Sequence, residues 1–191
     1  MNEKLTLFQW GAVIGASLIA ASGDLKNRRI PNSLTFPLFL TGLLWATVNG
    51  GLSGLGEAFL ACFLLGIPYV LLFVFAGGGA GDAKLMGAIG TWLGLRQSVV
   101  VLFCVAFAGI LIALIKAISK RQLRFVLTSV FISFYTFIIF VTGGKKLQFA
   151  NKQPETCEIS SESQIPYGVA ICAGVCVAAA VVWGTGVEWI W

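Results

Sequence analysis

The sequence contains no histidine, only 11% charged residues, and just two aspartates among its 191 positions. Without histidine there is no Ser-His or Cys-His nucleophile pair, no His-ligated zinc and no imidazole general base. Any catalysis must use carboxylate, lysine, cysteine or tyrosine. Soluble globular chains carry roughly 25% Asp, Glu, Lys and Arg, so about half the usual solvating charge is missing. With 58% hydrophobic residues and a mean hydropathy of +0.90, the chain reads as an all-α polytopic membrane protein of about one domain's length, a single unit over 1–191. No Cys-x-x-Cys occurs. Cys62, Cys104, Cys172 and Cys176 lie in apolar runs and read as packing residues, and Cys157 stands apart.

Seven stretches are free of charge over much of their length: 5–23, 30–56, 58–81, 85–95, 97–115, 125–144 and 163–187. The first resembles a secretory signal, but Lys26, Arg28 and Arg29 follow it directly and hold that flank in the cytoplasm. It is expected to be a retained helix whose N-terminus is outside. The stretch 85–95 is short, about 16 Å as helix, and Lys84 and Arg96 can snorkel at its ends. The segment 125–142, inside a cytoplasmic loop 119–164, has basic clusters on both flanks. A single crossing cannot place both inside, so it is expected to be re-entrant or interfacial.

That leaves about six transmembrane helices. Eleven of the thirteen basic residues then face the cytoplasm, Lys4 and Arg96 being the exceptions, and all six tryptophans fall toward the outer ends of their helices. The net charge of +5 sits in short juxtamembrane clusters, which suits anionic lipid headgroups rather than nucleic acid. Gly11-x-x-x-Gly15 suits close helix packing, and Pro68 is expected to kink the third span. The polar stretch 145–164, with Glu155, Glu158 and Glu162, reads as solvated loop.

Asp24 and Asp82 are separated by two full crossings, so both come to the cytoplasmic face. A carboxylate at the hydrocarbon boundary is costly and a functional candidate. Taken singly, Asp82 could be the N-cap of the short fourth helix, and Asp24 a partner of Lys26 or Arg28. Together, two facing carboxylates can share a proton, the ionised one activating water while the protonated one polarises a carbonyl. Gly79-x-Gly81-Asp82 fits that chemistry, because a wall without Cβ atoms lets an extended peptide backbone come close. It is equally a glycine-rich turn before a helix.

Asp24 with Arg29-Ile30-Pro31-Asn32, followed by Gly79-Ala80-Gly81-Asp82-Ala83-Lys84-Leu85, resembles the type IV prepilin peptidase family, the GxGD-type aspartic membrane proteases. The run Ile165-Pro166-Tyr167-Gly168-Val169-Ala170 is similar to the family's last helix. The resemblance implies that Asp24 and Asp82 are the catalytic pair and that Gly79, Gly81, Lys84, Arg29, Pro31 and Asn32 support them. It implies cleavage of a basic leader from a prepilin or pseudopilin with an apolar N-terminal helix, at the cytoplasmic face of a prokaryotic inner membrane. No metal or organic cofactor is implied. Lacking a Cys-x-x-Cys domain, the chain is similar to the short, peptidase-only form of tight-adherence (Flp-type) pili and archaeal relatives.

Other readings compete. Gly51-Leu52-Ser53-Gly54 resembles a rhomboid serine motif but has no histidine base. A small proton-coupled transporter would place its acids near mid-bilayer in symmetric broken helices. The pair Ile67-Pro68-Tyr69 and Ile165-Pro166-Tyr167 is too short an echo to be such a repeat. A non-catalytic pilus or secretion assembly subunit would tolerate loss of both aspartates. The oligomeric state is not legible.

Overall fold

The computed structural model describes residues 2–27, 30–76, 79–119 and 167–184, all of the helical ones falling in four helices. These are α1 (Asn2–Asn27), α2 (Asn32–Ala76), α3 (Ala80–Ser119) and α4 (Tyr167–Gly184). Each holds a stretch long and apolar enough to cross a membrane, and the protein is an all-helical polytopic membrane protein. The apolar segment 125–142 lies outside the described residues.

Two of the four helices are broken by glycine. Gly51 (φ 61°, ψ −146°) interrupts α2 and Gly94 (φ 68°, ψ 178°) interrupts α3, conformations that only a residue without Cβ adopts cheaply. At Gly51 the chain folds back: a Cβ on Gly54 would stand 2.5 Å from the carbonyl oxygen of Ala46, eight residues earlier. A continuous helix would separate those positions by about 12 Å. The first half of α2 runs parallel to the start of α3, with Ile30 against Gly81, Asn32 against Lys84 and Leu38 against Trp92. The second half runs antiparallel to the same stretch, with Ala61 against Gly90, Cys62 against Gly87 and Gly66 facing Ala83 and Gly87.

The break at Gly94 likewise reverses direction. Val105 packs against Gly174, which lies seven residues, roughly 10 Å, into α4. Gly94 lies about 18 Å along α3 from Asp82. The stretch after Gly94 therefore returns toward the aspartate end.

The core gathers Trp10, Val13, Leu65, Leu85, Met86, Ile89, Ile171 and Val175, all nearly inaccessible. Large apolar side chains such as Leu44, Val48, Leu52, Phe103 and Phe107 point outward, as lipid-facing residues do. Gly11 and Gly15 differ from expectation: a Cβ on either would meet nothing within 4 Å among the described residues. The close helix approaches are at Gly42, Gly90 and Gly174 instead. Pro68 lies within α2, whose non-helical φ/ψ is at Gly51.

Candidate active site

Asp24 stands in the last turn of α1 and Asp82 in the first turn of α3. A helix dipole favours a carboxylate at the second position and disfavours one at the first, so the local helix does not account for Asp24. Both are buried. They come from opposite ends of antiparallel elements, since Gln9 near the start of α1 donates a hydrogen bond to the Trp92 carbonyl. The two carboxylates lie within electrostatic reach of each other.

Asp24 does more than an ion pair would, while the Asp82 carboxylate sits against the Gly79 backbone, the reach-back place of a capping box. Asp24 Oδ2 accepts a 2.9 Å hydrogen bond from the backbone N–H of Gly168, on the first turn of α4. Among the described residues no ion pair joins Asp24 to Lys26; Arg28 lies outside them. Asp82 is the third residue of α3, with Gly79 in the cap position and its carbonyl accepting the Asp82 N–H at 3.1 Å.

The glycines are explained by what they face. A Cβ at Gly79 would lie 2.6 Å from Asp82 Oδ2, so the carboxylate occupies the space a side chain would need. At Gly81 it would lie 3.0 Å from Ile30 Cβ, so that position packs against the entry to α2 rather than standing open to a ligand. At Gly168 it would lie 2.9 Å from Asp24 Cβ and 3.0 Å from Asp24 Oδ2.

Lys84 and Asn32, predicted as supporting residues, meet each other: Lys84 Nζ donates to Asn32 Oδ1 at 3.0 Å, joining the first turns of α3 and α2. Pro31 precedes α2 at its cap position, and its carbonyl accepts the N–H of Leu34 at 3.1 Å. Arg29 lies outside the described residues. Two residues that the sequence reading did not put in the site belong beside it. Tyr69 and Tyr167 both interact electrostatically with Asp82. The repeated Ile-Pro-Tyr was the available signal. Among the described residues no group of three or more His, Cys, Asp or Glu side chains could hold a metal ion.

Comparison with known proteins gives the family of the chain. A model of the Type IV leader peptidase family matches residues 11–114. A prepilin leader peptidase/N-methyltransferase of Neisseria gonorrhoeae is 32% identical over 120 residues, covering 59% of this chain and 42% of the relative. One from Burkholderia pseudomallei is 36% identical over 121 residues, 58% of this chain and 38% of the relative. One from Xanthomonas campestris pv. campestris is 28% identical over 119 residues, 59% of this chain and 42% of the relative. The matched stretch thus spans about two fifths of each relative's length. No solved structure matches the chain. The matched residues include both aspartates with Pro31, Asn32, Gly79, Gly81 and Lys84 but not Tyr167 or Gly168, and the chain belongs to the type IV leader peptidase family.

Proposed function

We propose that the chain is a membrane-embedded aspartic endopeptidase that removes the basic leader from Flp-like prepilins at the cytoplasmic face of the inner membrane. The observation that carries this reading is the juxtaposition of the chain's only two aspartates, both buried, at the meeting of α1, α3 and α4. Of the two activities in the relatives' names, the proposal takes the peptidase, because a carboxylate pair supplies that chemistry.

In the mechanism, one carboxylate is ionised and takes a proton from a water molecule as its oxygen attacks the scissile carbonyl carbon. The other, protonated, donates to the carbonyl oxygen as negative charge forms there. Collapse of the tetrahedral intermediate breaks the C–N bond: the proton held by the first carboxylate passes to the leaving amine, and the second carboxylate takes back the proton it gave to the oxygen. The scissile bond is placed just before the prepilin's apolar helix. That helix enters the bilayer beside the peptidase while the leader stays in water.

The associated topology has six crossings with the start of α1 outside. Chain reversals at Gly51 and Gly94 support it, as do Trp10, Trp45 and Trp92, which lie at the end of the bundle away from the aspartates.

The test is co-expression with a prepilin carrying a basic leader, a glycine and an apolar helix, followed by gel shift and N-terminal sequencing of the product. Wild type should cut after the glycine, and Asp24→Asn or Asp82→Asn should lower cutting by at least ~10³-fold with insertion unchanged. Normal cutting by both variants would sink the proposal.

A further inference from the structure

Two short echoes in the sequence, each a Pro-Tyr pair, are 98 residues apart, and the fold brings their tyrosines to one place. Tyr167 opens α4, and the next residue, Gly168, gives its N–H to Asp24. Tyr69 reaches the same level from the other side. The second half of α2 runs antiparallel to the start of α3, with Gly66 facing Ala83, and Tyr69 lies one turn further toward the aspartates. Both phenols feel the charge of Asp82, and Tyr69 also feels Tyr167.

Tyr69 is half-buried against the core, and Tyr167 is 45% exposed. Neither hydroxyl bonds to another described residue. Of the described cations beside the pair, Lys84 gives its ammonium to Asn32. The Gly168 and Asp82 amides are taken by Asp24 and Gly79. A phenol is a neutral donor that leaves the carboxylates' charge state alone at neutral pH, with an unperturbed pKa near 10.

Resting on the peptidase reading, we propose that Tyr69 and Tyr167 are substrate-contacting residues whose hydroxyls flank the aspartate pair and donate hydrogen bonds to the scissile carbonyl oxygen as charge develops on it. The two helices then present their phenols from opposite walls of the site, so an extended peptide passes between them.

The experiment uses the full chain in detergent with the prepilin described above, comparing wild type, Tyr69→Phe, Tyr167→Phe, the double variant and Asp82→Asn. Phenylalanine keeps the ring and removes only the donor. Each single variant should lose roughly tenfold to a hundredfold in kcat, with KM within about twofold and an unchanged Tm, as removal of a transition-state donor does; the double variant should lose more. Unchanged kcat in both phenylalanine variants while Asp82→Asn is inactive overturns this inference and leaves the peptidase reading standing. A rise in KM with kcat retained also overturns it, since the tyrosines would then bind ground-state substrate only. A wild-type protein that cuts nothing overturns both.

Discussion

The two ends of the bundle are built differently. At the aromatic end Phe8, Trp45 and Trp92 lie within 5.1 to 6.2 Å of one another, centroid to centroid, with Trp45 and Trp92 stacked. Trp92 Nε1 donates to the Leu38 carbonyl at 2.9 Å, and Gln9 donates to the Trp92 carbonyl, so α1, α2 and α3 are fastened through one side chain and its own backbone. At the aspartate end the described links between elements are single hydrogen bonds, Gly168 to Asp24 and Lys84 to Asn32.

The packing of α2 on α3 changes in step. A Cβ on Gly90 would meet the Ala61 carbonyl oxygen at 2.5 Å, one on Gly87 the Cys62 sulfur at 3.2 Å, and one on Gly66 nothing closer than 3.9 Å. The second half of α2 packs tightest on α3 beside the tryptophans and stands off toward the carboxylates, while the entry to α2 stays against Gly81. A closed, cross-linked end holds the register, and a looser end would leave room for the extended peptide of the proposed reaction.

That contrast can be broken deliberately. Gly168→Ala puts a methyl group against the Asp24 carboxylate and should lower prepilin cleavage roughly a hundredfold, as a displacement near 1 Å of a reacting group does. Its Tm in detergent should match wild type; a variant that cuts normally would show that Asp24 is not held by this contact. Gly90→Ala forces backbone from backbone and should cost about 2 kcal/mol, read as a lower Tm. Trp92→Phe removes the bond to Leu38 and should cost about 1 kcal/mol with kcat retained. Gly66→Ala, at the splayed end, should leave Tm unchanged or raise it by the ~1 kcal/mol helix preference of alanine. Equal losses from Gly66→Ala and Gly90→Ala would disprove the splay.

Much of this was legible in the sequence because hydropathy and charge reveal which stretches enter lipid. The helical content and the membrane class follow from them, as does the expectation that Asp24 and Asp82 come to one face. The position of the first reversal does not. Charge places the end of the second stretch at Glu57, whereas the chain turns at Gly51 and Glu57 already lies in the returning helix; hydropathy registers a carboxylate and is blind to a positive φ. At Gly94 the turn falls beside Arg96, so the expected end of that stretch was close.

Gly-x-x-x-Gly misled for a related reason. The spacing says that two glycines share a helix face without saying what that face meets, and at Gly11 and Gly15 it meets nothing within 4 Å among the described residues. Gly79 was expected to make room for substrate; a side chain there would collide with Asp82 itself. Tyr69 and Tyr167 escaped because the repeated Ile-Pro-Tyr marks two like segments without saying that helix packing brings both within reach of Asp82.

The hydrogen bond from Gly168 to Asp24 spans 144 residues of chain. A ribosome makes Asp24 early and Gly168 late, and Asp82 between them. A nascent chain therefore carries both carboxylates well before it carries the amide that fixes one of them. On the peptidase reading the site is completed only once the helix beginning at Tyr167 has docked against α1, which would keep a half-made chain inert toward the neighbouring proteins it meets in the bilayer.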